Sequence, residues 1–459
     1  MRRRSPLAQR PTRLPHSTPR LPEALPLRCE KLPNGATLLI CPLPDLHRVS
    51  LSVSFGTGSR DEPEALSGVS HLIEHLMFRG TPEYPSLRAL SAAFEDIGGN
   101  INGFTSREQT SYETLLPPES LAEGVELLSQ MVLSPRLLGL ESERDIIREE
   151  ILSDYDEDGR LINVDDLLME ELFEGPLGRA IAGTPESLAR IGRGAVRQYY
   201  QSQYCGPNAV IALVGRIDLE DPVAVLAQAF DALRPSVPRH RDAFCALPSP
   251  KPRLHLRRYD GATQTELAFG VRTVGQDESS YPAVELALRI LDDGLASRLP
   301  HRLIDELGLV YDVEAFSAST REAAMCELRL ACRHRRVGRV LEELLGVLRR
   351  LADHLVSEEE LERAKRRILW EHQALLDRPA PLAQWLTSIA HRGVLADPRQ
   401  RCLRLLEVSA EAIREAAQQI FFGRAQRVVL VGELGPQALR RVAQRLGEGL
   451  GEDVELRAD

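Results

Sequence analysis

No two of the seven cysteines in this 459-residue chain are spaced Cys-x-x-Cys. They stand at positions 29, 41, 205, 245, 326, 332 and 402, odd in number and widely scattered. Such thiols read as reduced, and most of them as small buried hydrophobes, not as a disulfide framework or redox pair. That pattern points to a reducing compartment, the cytoplasm, with the mitochondrial matrix as the alternative. No apolar run approaches the length of a membrane-crossing helix, so no membrane partner is expected. Positive charge is not in excess either. A net charge of -10 and a pI near 5.7 argue against a general nucleic-acid binder. Residues 1–22 contain no acidic side chain and no apolar core of a secretory signal. Their arginines, at 2, 3, 4, 10, 13 and 20, would suit a transit peptide, but prolines at 6, 11, 15, 19 and 22 oppose an amphipathic helix. The segment 1–22 therefore reads as a disordered basic tail.

What is present is an ordinary globular composition, 43% hydrophobic and 27% charged, in a length that predicts more than one domain. Val49, Leu51, Val53 and Phe55 alternate with Ser50, Ser52 and Ser54, a period-2 strand. A second strand-like run is Val210-Ile-Ala-Leu-Val-Gly215. Residues 235–252 carry five prolines and little periodicity, which reads as a linker. After it the pattern recurs. A strand and turn at 266–278 echo the first strand, and Val428-Val-Leu-Val-Gly432 echoes the later one. Gly58 and Gly275 lie 217 residues apart, and so do Gly215 and Gly432. One offset shared by two landmarks predicts a duplicated domain, 23–234 followed by 253–459.

The most specific stretch is His71-Leu-Ile-Glu-His75. Four residues of helix turn by about 400°, so His71 and His75 share one face, with Glu74 beside them. Leu72, Ile73, Leu76 and Met77 supply an apolar side, and Gly80 with Pro82 ends the helix. This is the reverse order of the His-Glu-x-x-His motif, in which two histidines hold zinc and the glutamate is general base. The bland alternative is a solvated polar face. Shifting the motif by 217 lands on Leu288, Leu291 and Asp292, which cannot form a comparable site. The second half reads as a copy without the chemistry. A third ligand is expected from another helix, and 141–152 offers Glu143, Ile147 and Glu150 on one face. Helical phase alone does not separate Glu150 from Glu149.

Taken together, these motifs resemble the pitrilysin/insulinase family of zinc peptidases, and most its mitochondrial-processing-peptidase-type branch. The resemblance also rests on Gly98-Gly-Asn-Ile-Asn-Gly-Phe-Thr105, Ser106-Arg-Glu-Gln-Thr110, Gln203-Tyr-Cys-Gly-Pro-Asn208 and Gly308-Leu-Val-Tyr311, in order across both halves. It implies an α+β fold of two homologous domains, each a mostly antiparallel sheet packed against helices. It selects Glu150 as the third ligand to a single Zn2+ per chain, with Glu143 as a supporting carboxylate in the catalytic machinery and Glu74 as the base. It makes 23–234 the catalytic domain and 253–459 the non-catalytic one. It implies a zinc-dependent endopeptidase acting on extended peptides or leader segments, the alternative being a non-catalytic scaffold subunit of a peptidase-like complex.

Two departures stand out. The family has alanine after the asparagine of its substrate-binding edge strand, where this chain has Gly103 after Asn102, the residue carried over as a peptide contact. The family's second half also carries an arginine seven residues before a tyrosine, and the pair grips substrate. Here Tyr311 is present, but position 304 is isoleucine and Arg302 is out of phase. Tyr311 is carried over as substrate-binding, with a packed aromatic as the plain alternative. The gap implies a homodimer, or a heterodimer with a homologous subunit that supplies the arginine–tyrosine pair.

Overall fold

A computed structural model describes residues 21, 23–238, 251–276, 278–321, 324–393 and 398–459. The basic segment 1–22, apart from Leu21, and most of the expected linker, including Cys245, lie outside the described residues. The first sheet contains β1 (Arg28–Lys31), β2 (Thr37–Pro42), β3 (Val49–Phe55), β4 (Asn100–Thr105), β5 (Thr110–Leu116) and β6 (Ala209–Gly215), in the order β1-β2-β6-β3-β5-β4. The second contains β7 (Arg253–Arg258), β8 (Thr265–Thr273), β9 (Val310–Ser319), β10 (Ala324–Cys332), β11 (Arg427–Gly432) and β12 (Glu455–Ala458), in the order β12-β7-β11-β8-β10-β9. Both sheets are mixed. The parallel pairs are β2–β6, β7–β11 and β7–β12, and the remaining neighbours are antiparallel. Gly215 and Gly432, one of the two glycine pairs that carry the 217-residue offset, end β6 and β11 with φ of +123° and +157°. Each closes the same strand of its own sheet.

Helix α1 (Val69–Met77) lies between β3 and β4 in the chain and buries Leu72, Ile73, Leu76 and Met77 completely. Its start is fixed by Gly68 at φ +91°, where a Cβ would stand 2.4 Å from the Ala182 carbonyl oxygen. The carboxylate of Glu62 accepts the backbone N–H groups of Gly68 and Ser70 at 2.7 and 2.8 Å, satisfying donors that a helix start leaves over. Helix α2 (Leu140–Ile151) buries Leu140, Ile147 and Ile151 in the same core.

Helix α3 (Val164–Leu172) leaves its own half and covers one face of the second sheet. Its Val164, Leu167, Leu168 and Leu172 pack against Ala268, Met325, Val429 and Val431. In the second half, α4 (Tyr281–Leu291) buries Leu288 and Leu291, and Asp292 at its end accepts the backbone N–H of Ala315 at 2.9 Å. The residues that correspond to the motif are thus packing and backbone-bonding groups. Helix α5 (Pro379–His391) makes the return exchange, laying Leu382, Ala383, Leu386 and Ile389 on Leu39, Cys41, Val210, Ala212 and Val214 of the first sheet.

This exchange explains why β3 is buried on both faces despite its period-2 sequence. Ser50, Ser52 and Ser54 face α5, and none is accessible to solvent. Ser54 Oγ accepts a hydrogen bond from Ser111 and lies 2.9 Å from His391 Nε2, while the Gln384 side-chain amide donates to Glu113. Cys41, Cys205, Cys326 and Cys332 are free and buried, Cys402 is buried, and Cys29 is free and exposed. Among the described residues, no helix is long and apolar enough to cross a membrane.

Candidate metal centre

One turn of α1 separates His71 from His75, and their rings meet edge to face with centroids 4.7 Å apart. Both present Nε2 to the carboxylate of Glu150, projected from α2. His71 Nε2 lies 3.6 Å from Glu150 Oε1, and His75 Nε2 lies 3.5 Å from Oε2. Glu150, not Glu149, thus faces the histidines. The ligand atoms of the three side chains lie within 4.8 Å of one another, and no other such group of histidine, cysteine or carboxylate side chains occurs among the described residues. Two imidazoles and a carboxylate form a donor set suited to zinc. The two histidine–Glu150 distances are close to the roughly 3.3 Å between ligands of a tetrahedral ion with bonds of about 2.0–2.1 Å.

Behind His75, Glu143 is buried and its Oε2 lies 3.1 Å from Nδ1, which leaves Nε2 directed at the centre. Arg79 binds the other oxygen of Glu143 through Nε and Nη2. Burial pushes the Glu143 carboxyl up, but the hydrogen bond from His75 and the Arg79 guanidinium outweigh it and hold the group below its ordinary value. Burial would lower His75, yet Glu143, Glu74 and Glu150 together raise it. His71 lacks such support. Its Nδ1 is buried without a hydrogen-bond partner, and burial, with His75 nearby, lowers its pKa to about 4. A neutral imidazole is the form that binds metal.

Glu74 projects from α1 beside the two histidines and is 9% exposed. Burial raises its pKa, against the opposing effects of a hydrogen bond from Thr105 and the charge of His75. Thr105 Oγ1 donates to Glu74 Oε2 at 2.5 Å. α1 approaches β4 closely at Gly103, where a Cβ would stand 3.0 Å from Phe78 Cε2 and 3.1 Å from Glu74 Cγ, so an added methyl would require these side chains to give slightly.

The remaining candidates are spread over both halves. Asn102 is exposed on β4, the free edge of the first sheet. Tyr311 stands on β9, the free edge of the second, and is 95% exposed, so it is not a packed aromatic. It lines a cavity of about 720 Å³ with Ser153 and Asp154, which follow α2, and with Asp165, Glu314 and Arg329. Ile304 packs against the second core. Arg302 is engaged by Glu343 and Glu306 at 2.8 and 2.6 Å. Sequence reasoning missed Arg79 and Thr105. Arg79 continues the four-residue spacing of His71 and His75 and was open to discovery that way, whereas Thr105 reaches Glu74 only through the packing of β4 on α1.

Residues 43–185, which include the histidines, match the family described as Insulinase (Peptidase family M16), and residues 190–368 match the Peptidase M16 inactive domain. An uncharacterized zinc protease of Mycobacterium tuberculosis is 30% identical over 362 residues, covering 77% of this chain and 81% of the relative. One from Bacillus subtilis is 27% identical over 340 residues, covering 72% and 80%. In fold, a protease from Helicobacter pylori superposes with a TM-score of 0.82 at 16% identity, covering 90% of this chain and 100% of that one. A peptidase M16 inactive domain from Pseudomonas fluorescens gives 0.81 at 20% identity, covering 90% and 99%.

Proposed function

We propose that this chain, which belongs to the insulinase (M16) family of peptidases, is a zinc-dependent endopeptidase that hydrolyses extended peptides or leader segments. The observation that carries this reading is the convergence of His71 Nε2 and His75 Nε2 on the Glu150 carboxylate, with Glu74 alongside. In this reading His71, His75 and Glu150 hold one zinc ion. When bound, zinc supplies Lewis acidity toward the scissile carbonyl and lowers the pKa of water. Glu74 takes a proton from the attacking water as the new C–O bond forms, and returns it to the amine as the C–N bond breaks. Burial suits it to this task by raising its affinity for the proton. Glu143 keeps His75 oriented. Peptide adds to the free edge of β4, where Asn102 meets it, and gains main-chain hydrogen bonds with little demand on side-chain identity.

The processing-peptidase branch and a partner subunit belong to the same proposal. Tyr311 is exposed, but Ile304 stands where the branch has arginine, and Arg302 is committed to two glutamates. A homologous chain, or a second copy, would supply the arginine–tyrosine pair. The scaffold alternative is disfavoured by the intact set of His71, Glu74, His75 and Glu150. The test is peptide cleavage by the purified chain, alone and mixed with a homologous partner, before and after a zinc chelator. Cleavage should require zinc and rise with the partner. Full activity from the isolated monomeric chain would refute the partner, and chelator-resistant cleavage would refute the zinc mechanism.

A further inference from the structure

Of the two histidines, only His75 is held from behind. Its Nδ1 meets Glu143 Oε2 at 3.1 Å, whereas His71 Nδ1 is buried without a hydrogen-bond partner. Holding a ring this way requires that the carboxylate be held too. Glu143 is 4% exposed, and its second oxygen is taken by Arg79 through both Nε and Nη2. Arg79 lies four residues beyond His75, two positions past the end of α1, so one stretch of chain carries both ends of the relay. With His75 on Oε2 and the Arg79 guanidinium on Oε1, both oxygens of Glu143 are engaged, so the carboxylate is held from two sides.

We propose that Arg79 is a positioning residue for His75, acting through Glu143. The role rests on the zinc reading above. It predicts an asymmetric centre in which the His75 arm is set by a chain of three side chains, while His71 has no such chain behind its Nδ1.

The test compares zinc affinity, by competition with a chromogenic chelator, in the wild type, Arg79→Met, Arg79→Lys, Glu143→Gln and the Arg79→Met/Glu143→Gln double variant. Loss of a group that supports a metal ligand weakens binding by about 10–100-fold. Arg79→Met should fall at the lower end of that range, near tenfold. Arg79→Lys should recover part of the loss, and the double variant should bind no worse than Glu143→Gln. Wild-type affinity in Arg79→Met, or losses that multiply in the double variant, would overturn the proposal. A second readout needs no metal. Nitrogen NMR of the imidazoles should show His75 held with hydrogen on Nδ1 in the wild type and as a tautomer mixture in Arg79→Met, with His71 unchanged. If the wild type binds no zinc, the metal reading fails, and an unchanged His75 tautomer in Arg79→Met would refute the Arg79 role separately.

Discussion

Glu74 is pulled two ways. Burial raises its pKa, and the Thr105 hydroxyl, by hydrogen bonding to the ionised form, lowers it. Replacing Thr105 by valine removes the lowering effect, so the pKa of Glu74 should rise. A general base works ionised, so activity falls as pH drops through that pKa. The acid limb of kcat/KM against pH should therefore move to higher pH in Thr105→Val and stay in place in Thr105→Ser. An unmoved limb in the valine variant would count against this role. At this scale the sequence was informative wherever helix geometry alone decides the neighbour. The spacing of His71, Glu74 and His75 fixed their common face. The choice between Glu149 and Glu150 was not open to phase reasoning, because it depends on how α2 packs against α1. Thr105 and Gly103 meet Glu74 across about thirty residues of chain, and no local pattern reports that contact.

Among elements, the reciprocal exchange of α3 and α5 ties the halves together. The period-2 pattern of β3 foretold a strand but not the helix from the far half that buries its serine face. Apolar periodicity says that α3 has a face to bury, and is silent on which sheet receives it. Leu168 is fully buried in that exchange and lies over Gly270, where a Cβ would stand 2.8 Å from both its Cδ atoms. Leu168→Ala should cost about 2–5 kcal/mol in denaturant unfolding, and a loss below 1 kcal/mol would show the contact to be dispensable. The same helix carries Glu171, whose carboxylate accepts from Arg253 at 2.9 Å and Arg457 at 3.0 Å and lies 3.2 Å from His255 Nδ1. Burial opposes its charge, but His255 and Arg253 bring its pKa down to about 2. A depressed carboxylate stabilises the fold above its unfolded pKa, and that contribution fades as pH falls through the folded value. The stability gap between wild type and Glu171→Gln should be on the order of 3 kcal/mol near pH 6. It should close between about pH 4.5 and 2. A gap independent of pH would contradict this.

Across the whole molecule, the 217-residue offset exposed the duplication because glycine is needed at the same place in both sheets, at the ends of β6 and β11. The loss of chemistry in the second copy was legible from Leu288, Leu291 and Asp292. What Asp292 does instead, accepting the Ala315 N–H, was not, since that bond belongs to the pairing of a distant strand. Nor did the sequence show that Tyr311 stands clear of the core at the rim of a cavity reached by residues of both halves. The proposed zinc site draws on polar side chains of α1 and α2, while the apolar residues of both helices are buried in the core independently of it. Chelation should therefore abolish cleavage and leave the far-ultraviolet dichroism unchanged. Loss of helical signal on chelation would mean that the metal holds the fold.

In the proposed reaction Glu74 performs the proton transfers at a zinc ion held by His71, His75 and Glu150. Glu74→Gln isolates that role when peptide cleavage and bound zinc are measured on the same preparation. The variant should retain about one zinc per chain and lose activity by about 10²–10⁴-fold, the usual contribution of a general acid–base. A variant that cleaves peptide at the wild-type rate with zinc in place would rule out Glu74 as the base.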